Sequence, residues 1–179
     1  MACSKRDLIM SRTQWEFGIL RRIFGTGSWI VVPGLAVLGM ALTIPDADQE
    51  AGRTLSRPVW ASAALTNDVQ SFEKKKRQMQ AQAEADMVNA VWVVKKLESI
   101  DEEAKARVLH RADEFADEYV ETLKVINTNV TLSRGSRVYL EAMQYMISGD
   151  LVWGWSAPRY WPEIALDLVQ IARLTKSKA

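Results

Sequence analysis

The sequence predicts an all-α bundle of about six or seven helices, and three observations carry that expectation. Apolar residues recur at helical spacing: residues 101–125 put Val108, Ala112, Phe115, Tyr119 and Leu123 on one stripe, with Glu103, Lys105, Arg107, Asp113, Asp117 and Glu121 mostly opposite. β-Branched residues are scattered and never alternate strictly with polar ones, so no strand system reads out. Proline, glycine and serine fall between the periodic stretches, where helices begin and end.

Each element follows from these signals. Residues 29–44, WIVVPGLAVLGMALTI, are apolar throughout and read as a buried core helix ended by Thr43-Ile44-Pro45-Asp46. A membrane span would need roughly 20 uninterrupted apolar residues, and Pro33 and Gly34 interrupt this shorter run. Ser56-Arg57-Pro58 opens the next helix, from about residue 58 to 77, with Pro58 suited to its first turn. Further helices are expected at 84–98 and 101–125. Ser133-Arg134-Gly135 breaks the chain before a helix at 136–150. A tight WGWSAPRYW segment and a last helix at 162–173 follow, and LTKSKA reads as a tail. There is no internal repeat.

Composition narrows the function classes. The 179 residues suit one domain with a real core. A formal net charge of +1 supplies no field to draw the chain to nucleic acid or anionic lipid. The single cysteine, Cys3, cannot form an internal disulfide, which points to a reducing, cytoplasmic location. His110 is the only histidine, so multi-histidine metal sites and Cys/Cys/His zinc sites are excluded. The N-terminal MACSKRDLIM has too short an apolar run for a secretory signal.

Three groups of residues could carry chemistry. Within NDVQSFEKKK (67–76), Asn67, Ser71 and position 75 lie four apart, so in a helix they face one way. An amide carbonyl and a hydroxyl one turn apart are oxygen donors of the kind Mg²⁺ takes, whereas Lys75 on the third rung is not a ligand. The same pattern also suits an ordinary polar helix end. In WGWSAPRY, Trp153, Arg159 and Tyr160 follow one another closely, and a guanidinium beside a phenol can grip an oxyanion. A surface arginine beside a packed tyrosine reads equally well. Arg21 and Arg22 precede the apolar helix and could reach a phosphate or cap a solvated helix end. Trp29, Trp60, Trp92, Trp153, Trp155, Trp161, Phe72 and Tyr145 could line a cavity that stabilises a carbocation, or form ordinary core.

Taken together, these motifs resemble the C-terminal half of a class I terpene synthase domain, above all the cyclase part of the fungal bifunctional diterpene and sesterterpene synthases. The resemblance rests on GMALTIPDAD (39–48), SRPVWASAALTNDVQSFEK (56–74), VNAVWVV (88–94), NVTLSRGSRVYLEAMQYMISGDLVW (129–153) and PRY (158–160). It covers most of the chain from about residue 20 onward. Residues 1–20 match poorly, 21–174 match the cyclase domain, and 175–179 are the tail.

The resemblance implies a partial class I terpenoid synthase bundle acting on a linear prenyl diphosphate, geranylgeranyl or geranylfarnesyl diphosphate. It implies Mg²⁺-dependent loss of diphosphate followed by carbocation cyclisation. Asn67 and Ser71 would be metal ligands. Arg159 and Tyr160 would bind diphosphate beside Trp153, and Arg22 would sense it. The sequence departs from the family at Lys75, where the motif NDxxSxxxE has a carboxylate, and Gly25 stands where an Asp is usual. No aspartate-rich DDxxD occurs in the 179 residues. Glu73 falls on a different helix face from Asn67. These departures lead to the expectation of an incomplete cyclase. The alternative is an inactive, truncated relic or helical interaction module that would oligomerise through an exposed apolar face. Neither nucleic-acid binding nor stable membrane insertion is expected.

Overall fold

The computed structural model of the chain describes residues 39–161, apart from residues 84, 85, 99 and 129. Arg21, Arg22, Trp29, most of the 29–44 segment and the expected helix at 162–173 lie outside the described residues.

The described residues are helical, with no strand among them. A short 3₁₀ turn, Asp46–Asp48, leads into α1 (Gln49–Ala81), followed by α2 (Ala90–Glu98), α3 (Asp101–Thr128) and α4 (Arg134–Ser156). This is the expected all-α class, with four α-helices in the described part. Among the described residues, no helix is long and apolar enough to cross a membrane.

The helix boundaries differ from the sequence expectation in instructive ways. Residues 40–45 are already non-helical, with Ala41 at φ 50°, so the break comes before Thr43. Helix α1 starts at Gln49, and Pro58 lies inside it instead of opening it. Pro58 removes one backbone donor, but Ala51 and Leu55 upstream pack against the core, and that packing holds the earlier turns in register. Helix α2 begins at Ala90, not at residue 84, because Asn89 caps it: its Oδ1 accepts from Val91 N at 2.9 Å and Trp92 N at 3.3 Å. Helix α4 runs on through WGWS to Ser156 and stops where Pro158 forces Ala157 into an extended conformation, φ −78° and ψ 121°.

Two apolar clusters form the core, and α1 contributes to both. One joins Leu65, Val69 and Phe72 of α1 to Val91 of α2 and to Ala104 and Val108 of α3. The other joins Val59 and Trp60 to Tyr119 and Ile126 of α3 and to Leu140 and Met143 of α4. The α3 stripe expected from periodicity faces these clusters: Val108, Ala112 and Tyr119 are buried, while Phe115 and Leu123 pack at the edges. Val59 and Trp60 meet Leu140 and Met143, and farther along Gln70 meets Leu151 and Gly154. Contacts thus advance together along both chains, so α1 and α4 run side by side in the same direction.

Candidate functional site

The site lies where the middle of α1 meets the end of α4. Tyr160 is brought there by a turn in which Tyr160 N and Trp161 N both donate to Ala157 O, at 3.0 and 3.2 Å. Trp161 Nε1 donates back to Gly154 O at 3.1 Å and its ring stacks on Trp155, centroids 5.5 Å apart. Those contacts fold the PRY segment back against α4. The Tyr160 side chain is buried, and its hydroxyl accepts from Asn67 Nδ2 at 2.8 Å across 93 residues of sequence. Trp153 meets the Tyr160 ring edge-on at 5.8 Å. The Arg159 guanidinium lies 5.6 Å from that ring, and Arg159 itself is exposed.

Asn67, Trp153, Arg159 and Tyr160, expected from sequence to act together, are therefore brought to one place, with Ser71 one turn farther along α1. Ser71 is 3% exposed and its Oγ has no hydrogen-bond partner. The remaining rung, Lys75, goes elsewhere. At about 100° per residue, position 75 sits roughly 80° around the helix from Asn67 but only about 20° from Asp68. Lys75 Nζ accordingly pairs with Asp68 Oδ1 at 2.7 Å and donates to Val88 O at 3.2 Å. It borders a shallow groove of about 290 Å³ between α1 and the α1–α2 connection, lined also by Gln78, Met79 and Met87. Glu73 is on another face again, paired with Lys105 of α3 at 2.8 Å.

The residue that does continue the Asn67 stripe is Lys74, seven positions on and about 20° away. Its Nζ lies 6.0 Å from the Tyr160 ring, on the site. Sequence reading missed it because the stripe was counted in steps of four throughout. A step of four followed by a step of three, which is what 3.6 residues per turn requires, would have found it.

A further polar residue sits in the seam between α1 and α4. Gln70, 3% exposed, donates through Nε2 to Leu151 O at 3.1 Å, while its Oε1 has no partner. It fits only because Gly154 carries no side chain: a Cβ there would lie 1.8 Å from Gln70 Oε1. Asp150, one turn before Gly154, also has a buried, unpartnered oxygen, Oδ2, and burial pushes its pKa up to about 6.

The second letter of the ND pair is scaffold. Asp68 Oδ2 accepts from Ala90 N at 2.7 Å, and Asp68 O accepts from Asn89 Nδ2 at 2.7 Å, which anchors the start of α2 to α1. The expected aromatic lining also divides. Trp60 and Phe72 belong to separate core clusters, Trp92 lies beneath Lys95 and Lys96 on α2, and Tyr145 is 69% exposed. Among the described aromatics, Trp153 and Tyr160 are the pair that meets at the site.

Mg²⁺, which the resemblance implies, requires oxygen donors. The buried, unpartnered Ser71 Oγ fits that requirement. Asn67 fits too: its amide nitrogen is committed to Tyr160, which leaves the carbonyl prong as the donor. No group of three or more His, Cys, Asp or Glu that could hold a metal ion occurs among the described residues.

This geometry stands beside a clear relationship to known proteins. The chain is 46% identical to phomopsene synthase of Phomopsis amygdali over 177 residues, 95% of this chain and 24% of that protein. It is 30% identical to fusicoccadiene synthase of the same organism over 139 residues, 77% of this chain and 19% of that protein. Ophiobolin F synthase of Cochliobolus heterostrophus is 33% identical over 139 residues, 74% of this chain and 18% of that protein. The chain is homologous to a segment of the fungal bifunctional terpene synthases. It spans about a quarter of the length of the first of these relatives and under a fifth of the other two. No family model matches it.

Proposed function

We propose that this chain forms the diphosphate-gripping side of a terpene cyclase site acting on a linear prenyl diphosphate, geranylgeranyl or geranylfarnesyl diphosphate. The observation that carries the reading is the Asn67–Tyr160 hydrogen bond, which joins the two separated motifs into one site. Around it, Arg159 and Lys74 offer two cations beside a single aromatic ring. Each has a role the geometry supports. Arg159 takes diphosphate oxygens in a bidentate fork, and Lys74 adds a second positive charge to the departing group. The Tyr160 hydroxyl accepts from Asn67 and keeps its own proton free to donate to a diphosphate oxygen. Trp153 presents an aromatic surface beside the developing cation. Asn67 and Ser71 would hold Mg²⁺, which when bound supplies electrostatic pull on the leaving diphosphate. Arg22 is retained as the diphosphate-sensing residue of this reading.

The test is Mg²⁺-dependent release of inorganic diphosphate from geranylgeranyl and geranylfarnesyl diphosphate. Arg159→Ala and Tyr160→Phe are each expected to reduce release by about 10²-fold or more, the size of effect seen when one donor to a developing anion is removed. Release unaffected by either variant overturns the assignment.

One observation favours a second reading, a non-catalytic helical module. Lys75, where the family motif carries a carboxylate, is built into the scaffold by its bonds to Asp68 and Val88. A folded chain that neither binds nor cleaves a prenyl diphosphate would support that reading.

A further inference from the structure

Two residues of α1, less than one turn apart, hold the end of α4. Asn67 Nδ2 donates to the Tyr160 hydroxyl at 2.8 Å, and Gln70 Nε2 donates to Leu151 O at 3.1 Å. The Gln70 amide also presses on Gly154, where a Cβ would stand 1.8 Å from its Oε1 and 2.5 Å from its Nε2. Gly154 O in turn accepts from Trp161 Nε1 at 3.1 Å, and Trp161 stacks on Trp155. A chain of contacts therefore runs from Gln70 through Gly154 and Trp161 to the neighbouring Tyr160, and it closes on Asn67. Fold stability does not explain the residue types along it. Buried Gln70 leaves Oε1 without a partner, which costs the desolvation of that atom. Gly154 lies within α4, where glycine is disfavoured against alanine. Both costs fall at the one contact that fixes the last turns of α4 against α1.

We propose that Gln70 is a positioning residue for the diphosphate-binding hydroxyl of Tyr160, acting through Gly154 and Trp161. The inference rests on the role given to Tyr160 in the function proposed above, and it deepens that role. The amide does two things that an apolar side chain of its length does not. Its N–H, tied to Leu151 O, fixes how far along α1 the end of α4 sits. Its planar group, flat against Gly154, fixes how closely the two helices approach. With both set, Trp161 is pinned to Gly154 O, and the turn that closes on Ala157 O delivers Tyr160 to Asn67. Without the tie, the last turn of α4 can shift against α1. A donor to a ligand loses its effect once it moves by more than about half an ångström.

Gln70→Met tests this in the full chain, because methionine matches glutamine in length and removes the donor together with the orphan oxygen. Two readouts are taken: fluorine resonances of the chain carrying fluorotyrosine, and calorimetric titration with inorganic diphosphate in the presence of Mg²⁺. The four tyrosines are Tyr119, Tyr139, Tyr145 and Tyr160, and Tyr160→Phe assigns the Tyr160 signal. In Gln70→Met that signal is expected to move toward that of exposed Tyr145. The signals of Tyr119 and Tyr139, buried in the second apolar cluster, are expected to stay in place. Diphosphate binding is expected to weaken by at least about tenfold, as loss of a supporting hydrogen bond does, with the melting temperature not lowered. A purely structural role predicts instead a general loosening, in which every buried signal moves and the melting temperature falls, and that pattern overturns the proposal. So does a Tyr160 signal that stays where it is, or diphosphate bound as tightly as by a binding wild type. Wild type that binds no diphosphate, with the Tyr160 signal moving as expected, overturns the function proposed above and leaves Gln70 as the residue that positions Tyr160. If Gln70→Met does not fold, Gly154→Ala reaches the same contact from α4, since its Cβ displaces the Gln70 amide. A moved Tyr160 signal in that variant supports the proposal, and an unmoved one overturns it.

Discussion

Lys75 shows how a single side chain can follow geometry over motif. Counted from Asn67 in fours it belongs to the site, but the true helical period turns it toward Asp68, and the ion pair forms there. Replacing it by glutamate would set a carboxylate against Asp68 and remove the donor to Val88 O. Lys75→Glu is therefore expected to lower stability by about 1–2 kcal/mol and to leave diphosphate release no higher than in wild type. Thermal unfolding and a release assay on the same preparation check both. A cyclised hydrocarbon product from this single variant would contradict it. Asp48 makes a second prediction at this scale. Its Oδ2 accepts from Ser136 Oγ at 2.6 Å and from Ser133 N at 2.9 Å, and these bonds, that from Ser136 foremost, lower its pKa below the ordinary 3.8. The folded protein therefore holds this proton less tightly than the unfolded chain. The stability Asp48 confers is complete above the unfolded value and is lost as pH falls through the folded one. The stability gap between wild type and Asp48→Asn should accordingly narrow as pH drops below about 4, as melting temperatures measured across pH would show. A gap that widens on acidification would be inconsistent with it.

Among the elements, α1 was legible in kind and misplaced in extent. Its apolar period and the ND motif are plain in the sequence, but Pro58 argued for a start nine residues too late. The reason is tertiary: Ala51 and Leu55 gain contacts with the second cluster that a reading of local signals does not contain. Helix α4 was cut short at residue 150, since WGWSAPRYW reads as a tight segment of its own. In fact Gly154 is needed to admit Gln70. At the far end of α1, Ala83 takes φ 53°, a left-handed conformation that costs a residue with a Cβ. Ala83→Gly is expected to raise stability by about 0.5–1 kcal/mol, measured by chemical denaturation. Gly135 is the opposite case. A Cβ there would lie 2.2 Å from Thr43 O, a backbone atom that cannot swing aside. Gly135→Ala is expected to cost about 1–3 kcal/mol. An unchanged midpoint would mean that the strand of chain around Thr43 yields freely.

For the whole molecule, the fold class and the convergence of two motifs were readable from sequence, whereas the orphan oxygens of Gln70, Ser71 and Asp150 were not. Helical period and capping residues are local signals. Whether Ser71 finds a partner, or Asp150 Oδ2 is covered, depends on which parts of the chain lie alongside, and no spacing rule encodes that. The use of α1 in both apolar clusters has an energetic consequence as well. Phe72 and Leu140 are both fully buried, in different clusters. Truncating either to alanine should cost about 2–5 kcal/mol, a large share of the roughly 5–15 kcal/mol that holds a domain folded. Because one helix spans both clusters, either variant should shift a single unfolding transition, coincident by far- and near-ultraviolet circular dichroism. Two separated transitions would show that the clusters melt independently. The bond between Asn67 and Tyr160 bears on the order in which the molecule is made. The contacts of α1 with α2 and of α2 with α3 close short loops, whereas this one closes a loop of 93 residues. Long loops close late, after local helix pairs have formed. A nascent or refolding chain would thus acquire its helices first and the Asn67–Tyr160 contact last, and binding at the diphosphate site proposed above would, in a refolding experiment, report the final step of folding.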